Sequence, residues 1–243
     1  MTDSDRMRDR DIQQGVAPVR PVAGASVTDF LYPFIDAGEC DASTLLVDLA
    51  RSAESKATES RALCSATLAD AAAEIAQAAR AMAGRFTAGG QLFAFGNGGS
   101  ATDAAGVAAL FVRPPFGTSL PARSLAADEA VLTALGNDVG FDLVFSRQLI
   151  AHAGVGDIAL GLSTSGSSEN LIVAFAEARR RGALTVGLAG FDGGRMAAST
   201  DIDHCIVVRS DSVHRVQEAQ ATVIVALWEE VQRVMEAGKL ATP

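Results

Sequence analysis

The chain of 243 residues has few cysteines, few histidines, no cluster of positive charge and no long apolar run. Its three cysteines, Cys40, Cys64 and Cys205, are odd in number and lack C-x-x-C spacing. This argues against a disulfide framework or a cysteine metal or redox motif, and fits reduced thiols in a cytoplasm. Basic residues number 20 against 29 acidic, for a formal net charge of −9. Such a chain is not drawn nonspecifically to nucleic acid or to an anionic membrane, so any anionic ligand must be held by local donors. No stretch approaches the roughly 18 to 20 apolar residues of a membrane span. The polar beginning, with its Arg/Asp alternation, lacks the apolar core of a signal peptide. We find no repeat architecture and no low-complexity tract.

What is present is hydrophobic content of 49% with 23 glycines, enough for one substantial α/β core with a helical addition. Residues 1–26 read as a flexible polar arm. The apolar patch Phe30-Leu-Tyr-Pro-Phe-Ile35 is suited to docking on the body or on another subunit. Residues 27–88 form an N-terminal helical segment: Ala42 to Phe86 is rich in Ala, Leu, Glu and Arg and free of proline, implying one or two long helices. After Gly89-Gly90, short apolar strands near 91–95, 122–126, 157–162, 184–189 and 204–208 alternate with helical segments, which is the pattern of a parallel sheet over 89–243. The last helix, about 213 to 236, carries an apolar stripe of Val213, Val216, Val223, Leu227, Val231 and Val234 that predicts packing against another helix or subunit.

Two small polar turns lie at strand-to-helix junctions, Gly96-Asn-Gly-Gly-Ser100 and Ser163-Thr-Ser-Gly-Ser-Ser168. The first helical N–H groups lack intrahelical partners and sit at the positive end of the helix dipole, so an anion can bind there. The second turn has more hydroxyls than a helix cap needs and suits a phosphate; its alternative is a serine-rich connection. The first turn has two readings as well. Asn97, Gly98, Gly99 and Ser100 could present donors to a ligand, or Ser100 and Asp103 could form a helix-capping pair. Neither turn has the lysine of a Walker loop or the spacing of a dinucleotide fingerprint.

With Gly136-Asn-Asp-Val-Gly-Phe-Asp142, Gly190-Phe-Asp-Gly-Gly194 and Arg215-Val-Gln-Glu218, these turns, in this order and spacing, resemble the SIS (sugar isomerase) domain family, and within it the phosphoheptose isomerases. The resemblance covers roughly residues 42 to 236. It implies an α/β, flavodoxin-like parallel sheet flanked by helices, preceded by an N-terminal helical extension, and a homotetramer with sites between subunits. It further implies that Ser163, Thr164, Ser165 and Ser168 hold a sugar phosphate. By the same resemblance Asn97, Gly98 and Ser100 line the pocket, Asn137 and Asp138 approach the sugar from a neighbouring loop, and Gln217 approaches from the last helix.

Several positions depart from the family pattern. The isomerases resembled here carry a histidine and a glutamate on the helix after the first turn and a histidine eight residues after the glutamine. This chain has Gly106, Leu110 and Val225 there, and only Gln217 of that acid–base and zinc constellation remains. Moving a proton between adjacent carbons needs a base, and a missing general base slows a reaction by about 10² to 10⁴-fold. His214 and Glu218, flanking Gln217, are the weak candidates for relocated catalytic groups, whereas His152 and His204 read as structural. The sequence therefore predicts no metal or other cofactor and a sugar-phosphate sensor or scaffold. A phosphosugar isomerase with relocated groups, and an oligomeric protein-interaction module that binds no sugar and addresses an unidentified protein partner, are the alternatives.

Overall fold

The computed structural model describes residues 42–240; the expected arm over 1–26, the 30–35 patch and Cys40 lie outside the described residues. Among the described residues, 42–53 fall in one unit and 54–240 in another, compact one. The described helices before the sheet are α1 (Ala42–Asp70) and α2 (Ala72–Thr87). On α2 the buried residues Ile75, Ala78, Ala79, Met82, Ala83 and Phe86 recur every three or four positions, giving one apolar face.

From Leu92 onward the chain alternates strand and helix: β1 (Leu92–Gly96), α3 (Gly99–Val112), β2 (Ala122–Ser124), α4 (Glu129–Asp138), a 3₁₀ turn (Phe141–Leu143) and α5 (Val144–His152). There follow β3 (Ile158–Ser163), α6 (Glu169–Arg180), β4 (Leu184–Ala189), α7 (Gly194–Ala198), β5 (His204–Val207) and α8 (Val213–Leu240). All neighbouring strands are parallel, in the order β2-β1-β3-β4-β5. Strands β1, β3 and β4 are buried along their whole length, as expected of strands covered on both faces, which is why they read as unbroken apolar runs.

Side-chain alternation separates two cores. Leu92, Ala94, Ile158, Leu160, Leu162, Val186 and Leu188 pack with α2, α3 and α8. Phe93, Phe95, Ala159 and Ala189 pack on the other face with α5, α6 and Met196 of α7. Helix α8 supplies Val216, Val223, Leu227 and Val231 as buried residues, and Val234 is half-buried against the same core. Val213 departs from the expected stripe: it opens the helix and is 43% exposed. Cys64 and Cys205 are free thiols, and burial, with a further push from the Glu74 carboxylate, raises Cys205 to about 11.

Candidate functional site

The two turns sit side by side. Strand β1 pairs with β3 so that Gly96 lies opposite Leu162, which places the turns that follow them at neighbouring carboxyl ends. The helices they feed then part: α3 covers one face of the sheet through Ala104, Val107 and Phe111, while α6 covers the other through Leu171, Ala174 and Phe175. A crevice at such a switch point is where open parallel sheets bind ligands. The N-termini of a 14-residue and a 12-residue helix both border it, each carrying the partial positive charge of a helix start.

In the first turn, Gly98 precedes α3 with φ 55°, a left-handed conformation that favours glycine. Gly98 is the N-cap, so Ser100 lies inside the first turn and the Ser100–Asp103 capping pair does not form. Ser100 is buried and its N–H donates to the Asn97 carbonyl at 3.0 Å. The Asn97 amide exchanges two bonds, each 2.9 Å, with Asn170 on α6. Asn170 is 2% exposed and was not singled out by its sequence context, since its partner is distant in the chain.

In the second turn the buried Ser163 hydroxyl is the hub. It lies 3.3 Å from the Ser165 hydroxyl and 3.4 Å from that of Ser168, and accepts from the Gly166 N–H at 3.1 Å. Ser168 is the N-cap of α6 but its side chain makes no capping bond, which leaves its hydroxyl turned to the serine cluster. Thr164 is half-buried, and Gly190 packs so closely that a Cβ there would lie 2.3 Å from the Thr164 carbonyl oxygen. The 190–194 turn thus buttresses the serine turn: the Ser167 hydroxyl accepts from the Arg195 N–H at 3.2 Å, and the Met196 N–H donates to the Gly166 carbonyl at 2.8 Å. Arg195, the cation next to this turn, is ion-paired with Glu169.

Helix α8 brings Gln217 over the first turn. A Cβ on Gly99 would come within 2.2 Å of Gln217 Nε2, and that nitrogen donates to Asp103 Oδ2 at 3.4 Å. Burial pushes the Asp103 carboxyl above its ordinary value, and the bond from Gln217 opposes the shift. One turn further along α8, Gln220 is fully buried and donates to the carbonyls of Leu188 at 3.1 Å and Ser163 at 3.4 Å, seating the helix on the ends of β4 and β3. In sequence Asp103 is legible only as a capping partner of Ser100, and Gln220 only as a polar residue on an otherwise apolar helical face.

Other expected site residues lie apart from these turns. Asn137 and Asp138 are not in a loop: they close helix α4, are exposed, and Asn137 Nδ2 donates to Asp138 Oδ1 at 2.8 Å. The intrinsic helical pattern of 129–138 extends through them. Helix α4 has no fully buried residue: Leu132 and Leu135 are half-buried against the core, whereas Val131 on the helix and Val139 and Phe141 just after it are exposed. His214 is exposed in the first turn of α8. Glu218 accepts from the Ser60 hydroxyl and pairs with Arg215, and these bonds hold its carboxyl below the ordinary range. It borders a groove of about 760 Å³ whose lining includes Lys56, Arg61 and Arg215, away from the serine turn.

The α3 positions Gly106 and Leu110 supply no donor: Gly106 is exposed, Leu110 half-buried, and Val225 on α8 is 45% exposed. A glycine, a leucine and a valine do not fit a metal ion. Among the described residues no group of three or more His, Cys, Asp or Glu is placed to hold one. No helix among them is long and apolar enough to cross a membrane.

Residues 57–190 match the model of the SIS domain family. The chain is 46% identical over 141 residues to the phosphoheptose isomerase of Solidesulfovibrio magneticus, a match covering 56% of this chain and 66% of that protein. It is 42% identical over 154 residues to the phosphoheptose isomerase of a Geobacter species, covering 61% and 77%. The solved phosphoheptose isomerase of Neisseria gonorrhoeae superposes with a TM-score of 0.71 at 34% identity, covering 76% of this chain and 99% of that one. The Francisella tularensis enzyme gives 0.70 at 29% identity, covering 77% and 98%.

Proposed function

This chain belongs to the SIS domain family, and from that premise we propose that it binds a sugar phosphate in the crevice between β1 and β3 and works as a sensor or scaffold rather than by the family's isomerisation. The observation that carries the reading is the contrast between the serine turn and the positions where the resembled isomerases carry their acid–base groups. The Ser163-centred turn gathers hydroxyls and backbone N–H groups, while positions 106, 110 and 225 offer no acid, base or metal ligand. Ser163, Thr164, Ser165 and Ser168 are the phosphate-holding residues, and Asn97, Gly98, Ser100 and Gln217 line the sugar. The ligand's charge is met by hydroxyls, amides and helix ends rather than by lysine. No metal takes part.

The exposed apolar residues on and after helix α4 are consistent with assembly of this chain as a homotetramer. The helix turns only the half-buried Leu132 and Leu135 to its own core, and packing against a second copy would cover Val131, Val139 and Phe141. Asn137 and Asp138 would then reach the sugar through that contact. The protein is proposed to be cytoplasmic, and the partner that a sensor would address is a protein.

A second reading is favoured by the 46% identity to a phosphoheptose isomerase: an aldose–ketose isomerase with relocated proton-transfer groups. His214 and Glu218 are its candidates. The depressed Glu218 carboxyl makes a weak base, since basicity falls with pKa.

The deciding experiment is thermal shift with sedoheptulose 7-phosphate and a panel of sugar phosphates, followed by a coupled isomerase assay. Ligand at a hundred times its Kd stabilises by about 2.7 kcal/mol. Stabilisation without turnover is the expected result. Turnover that persists in Ser163→Ala would point away from this crevice, and turnover lost in His214→Ala or Glu218→Ala would establish the isomerase instead.

A further inference from the structure

We infer that the groove between α2 and the closing turns of α8 is a second binding site, one that takes an aliphatic carboxylate: an apolar chain with a single anionic head. None of its lining residues belongs to the two turns, and the inference does not depend on the sugar-phosphate reading.

The groove holds about 490 Å³, inside the range of about 300 to 1,000 Å³ typical of small-molecule sites. Buried Ala83 and half-buried Val234 and Met235 line it with apolar surface continuous with the core. Gly84 keeps it open. Glycine inside a helix loses more chain entropy than alanine, so it suits places where the backbone or a close neighbour demands it. Gly84 meets neither demand: it is not among the glycines with positive φ, and a Cβ there would meet no atom within 4 Å. A side chain at this position would take its space from the groove.

The charged groups along the groove are cationic. Arg80 and Lys239 line it, in a chain whose formal net charge is −9, and among the described residues no Asp or Glu does. Neither cation makes an ion pair among the described residues. Lys239 Nζ donates to the Thr118 hydroxyl at 2.9 Å, and Arg80 acts on Glu230 only through space, while the Glu230 carboxylate is bonded to Arg233. An ammonium has three donors and a guanidinium five, so both keep donors for a ligand. A sugar phosphate does not suit this groove, because its hydroxyls would lose water against apolar walls. An uncharged apolar molecule would leave the cations unused. An aliphatic chain ending in a carboxylate answers both the walls and the charge.

The test is calorimetric titration of the full chain with decanoate below its micelle-forming concentration and, separately, with 1-decanol and with acetate. Decanoate should bind. Without the charge, 1-decanol should bind about two- to fivefold more weakly, the range for an exposed ion pair; without the chain, acetate should give no heat of binding. Gly84→Leu should weaken decanoate by about tenfold or more, since a filled groove must repack to admit it. Its stability in urea should be no lower than the wild type's, because leucine is the better helix former. Arg80→Gln should weaken decanoate about two- to fivefold and leave 1-decanol unchanged. If Gly84→Leu fails to fold, Arg80→Gln carries the comparison. Absence of decanoate binding overturns the inference, as does equal affinity in the wild type and Gly84→Leu. Equal affinity for decanoate and 1-decanol, or an Arg80→Gln protein that weakens both alike, overturns it by removing the anionic head. A wild type that binds no decanoate and assembles in solution, with assembly lost in Gly84→Leu, overturns it in favour of a second copy of this chain as the occupant.

Discussion

Asn97 and Asn170 lock the two turns together: each amide both donates to and accepts from the other, with both bonds at 2.9 Å. One residue follows β1 and the other opens α6, so the pair bridges the crevice at the point where the helices diverge to opposite faces. Asn170 is 2% exposed, and water cannot readily replace a lost partner there. Asn170→Ala should therefore lower unfolding free energy by about 1 to 3 kcal/mol, the penalty for a stranded buried polar group. Urea denaturation measures this. A loss no larger than that of an exposed control such as Thr133→Ala would mean that the pair does not hold the turns.

This bridge also marks where sequence reasoning stops. The strands were legible because β1, β3 and β4 are buried on both faces and appear as short continuous apolar runs. The serine turn was legible because so many hydroxyls exceed the needs of a cap. Asn97 and Asn170, however, are 73 residues apart, and Gln217 and Asp103 are 114 apart; nothing local announces either contact. Two places come out differently from an expectation. The Ser100–Asp103 capping pair, one of two readings of the first turn, does not form because Gly98 begins the helix two residues earlier. Asn137 and Asp138, placed in a loop by the resemblance, close α4, which continues to Asp138 before Gly140 adopts φ 98°.

Ser163 organises the second turn through three contacts at 3.1 to 3.4 Å, to Gly166, Ser165 and Ser168. Ser163→Ala removes all three while preserving the strand. Sugar-phosphate affinity should fall at least tenfold, since one bond to an anion contributes about 1.5 to 3 kcal/mol. Calorimetry on the variant decides the matter: unchanged affinity would remove Ser163 from the site.

Gly161, within β3, makes room for two rings. A Cβ there would lie 2.6 Å from Phe175 Cζ and 2.8 Å from Phe95 Cε2, rings whose centroids are 5.2 Å apart. Gly161→Ala should destabilise the fold by about 1 to 3 kcal/mol through overpacking. Since Phe95 and Gly161 precede the two turns directly in β1 and β3, ligand affinity should fall as well. A variant as stable as the wild type in urea would show that the rings can shift without penalty.

Asp203 ties β5 to β4 and carries a pH signature. Burial alone would raise its carboxyl, but the Thr185 N–H, Arg179 and the Thr185 hydroxyl outweigh burial and hold it below the ordinary range. The bonds are 3.0 Å from each Thr185 donor and 2.6 Å from Arg179. An unfolded aspartate titrates near about 3.9. Because the folded value is lower, the carboxylate's contribution is complete above the unfolded value and is lost as pH falls through the folded one. The wild type should therefore lose stability below about pH 4, and part of that loss belongs to Asp203. Asp203→Asn should be less stable at pH 7 and decline less steeply in acid, because its side chain does not titrate. Melting temperatures of both proteins between neutral and strongly acidic pH measure the difference. Parallel curves for the two would show that Asp203 does not couple protonation to folding.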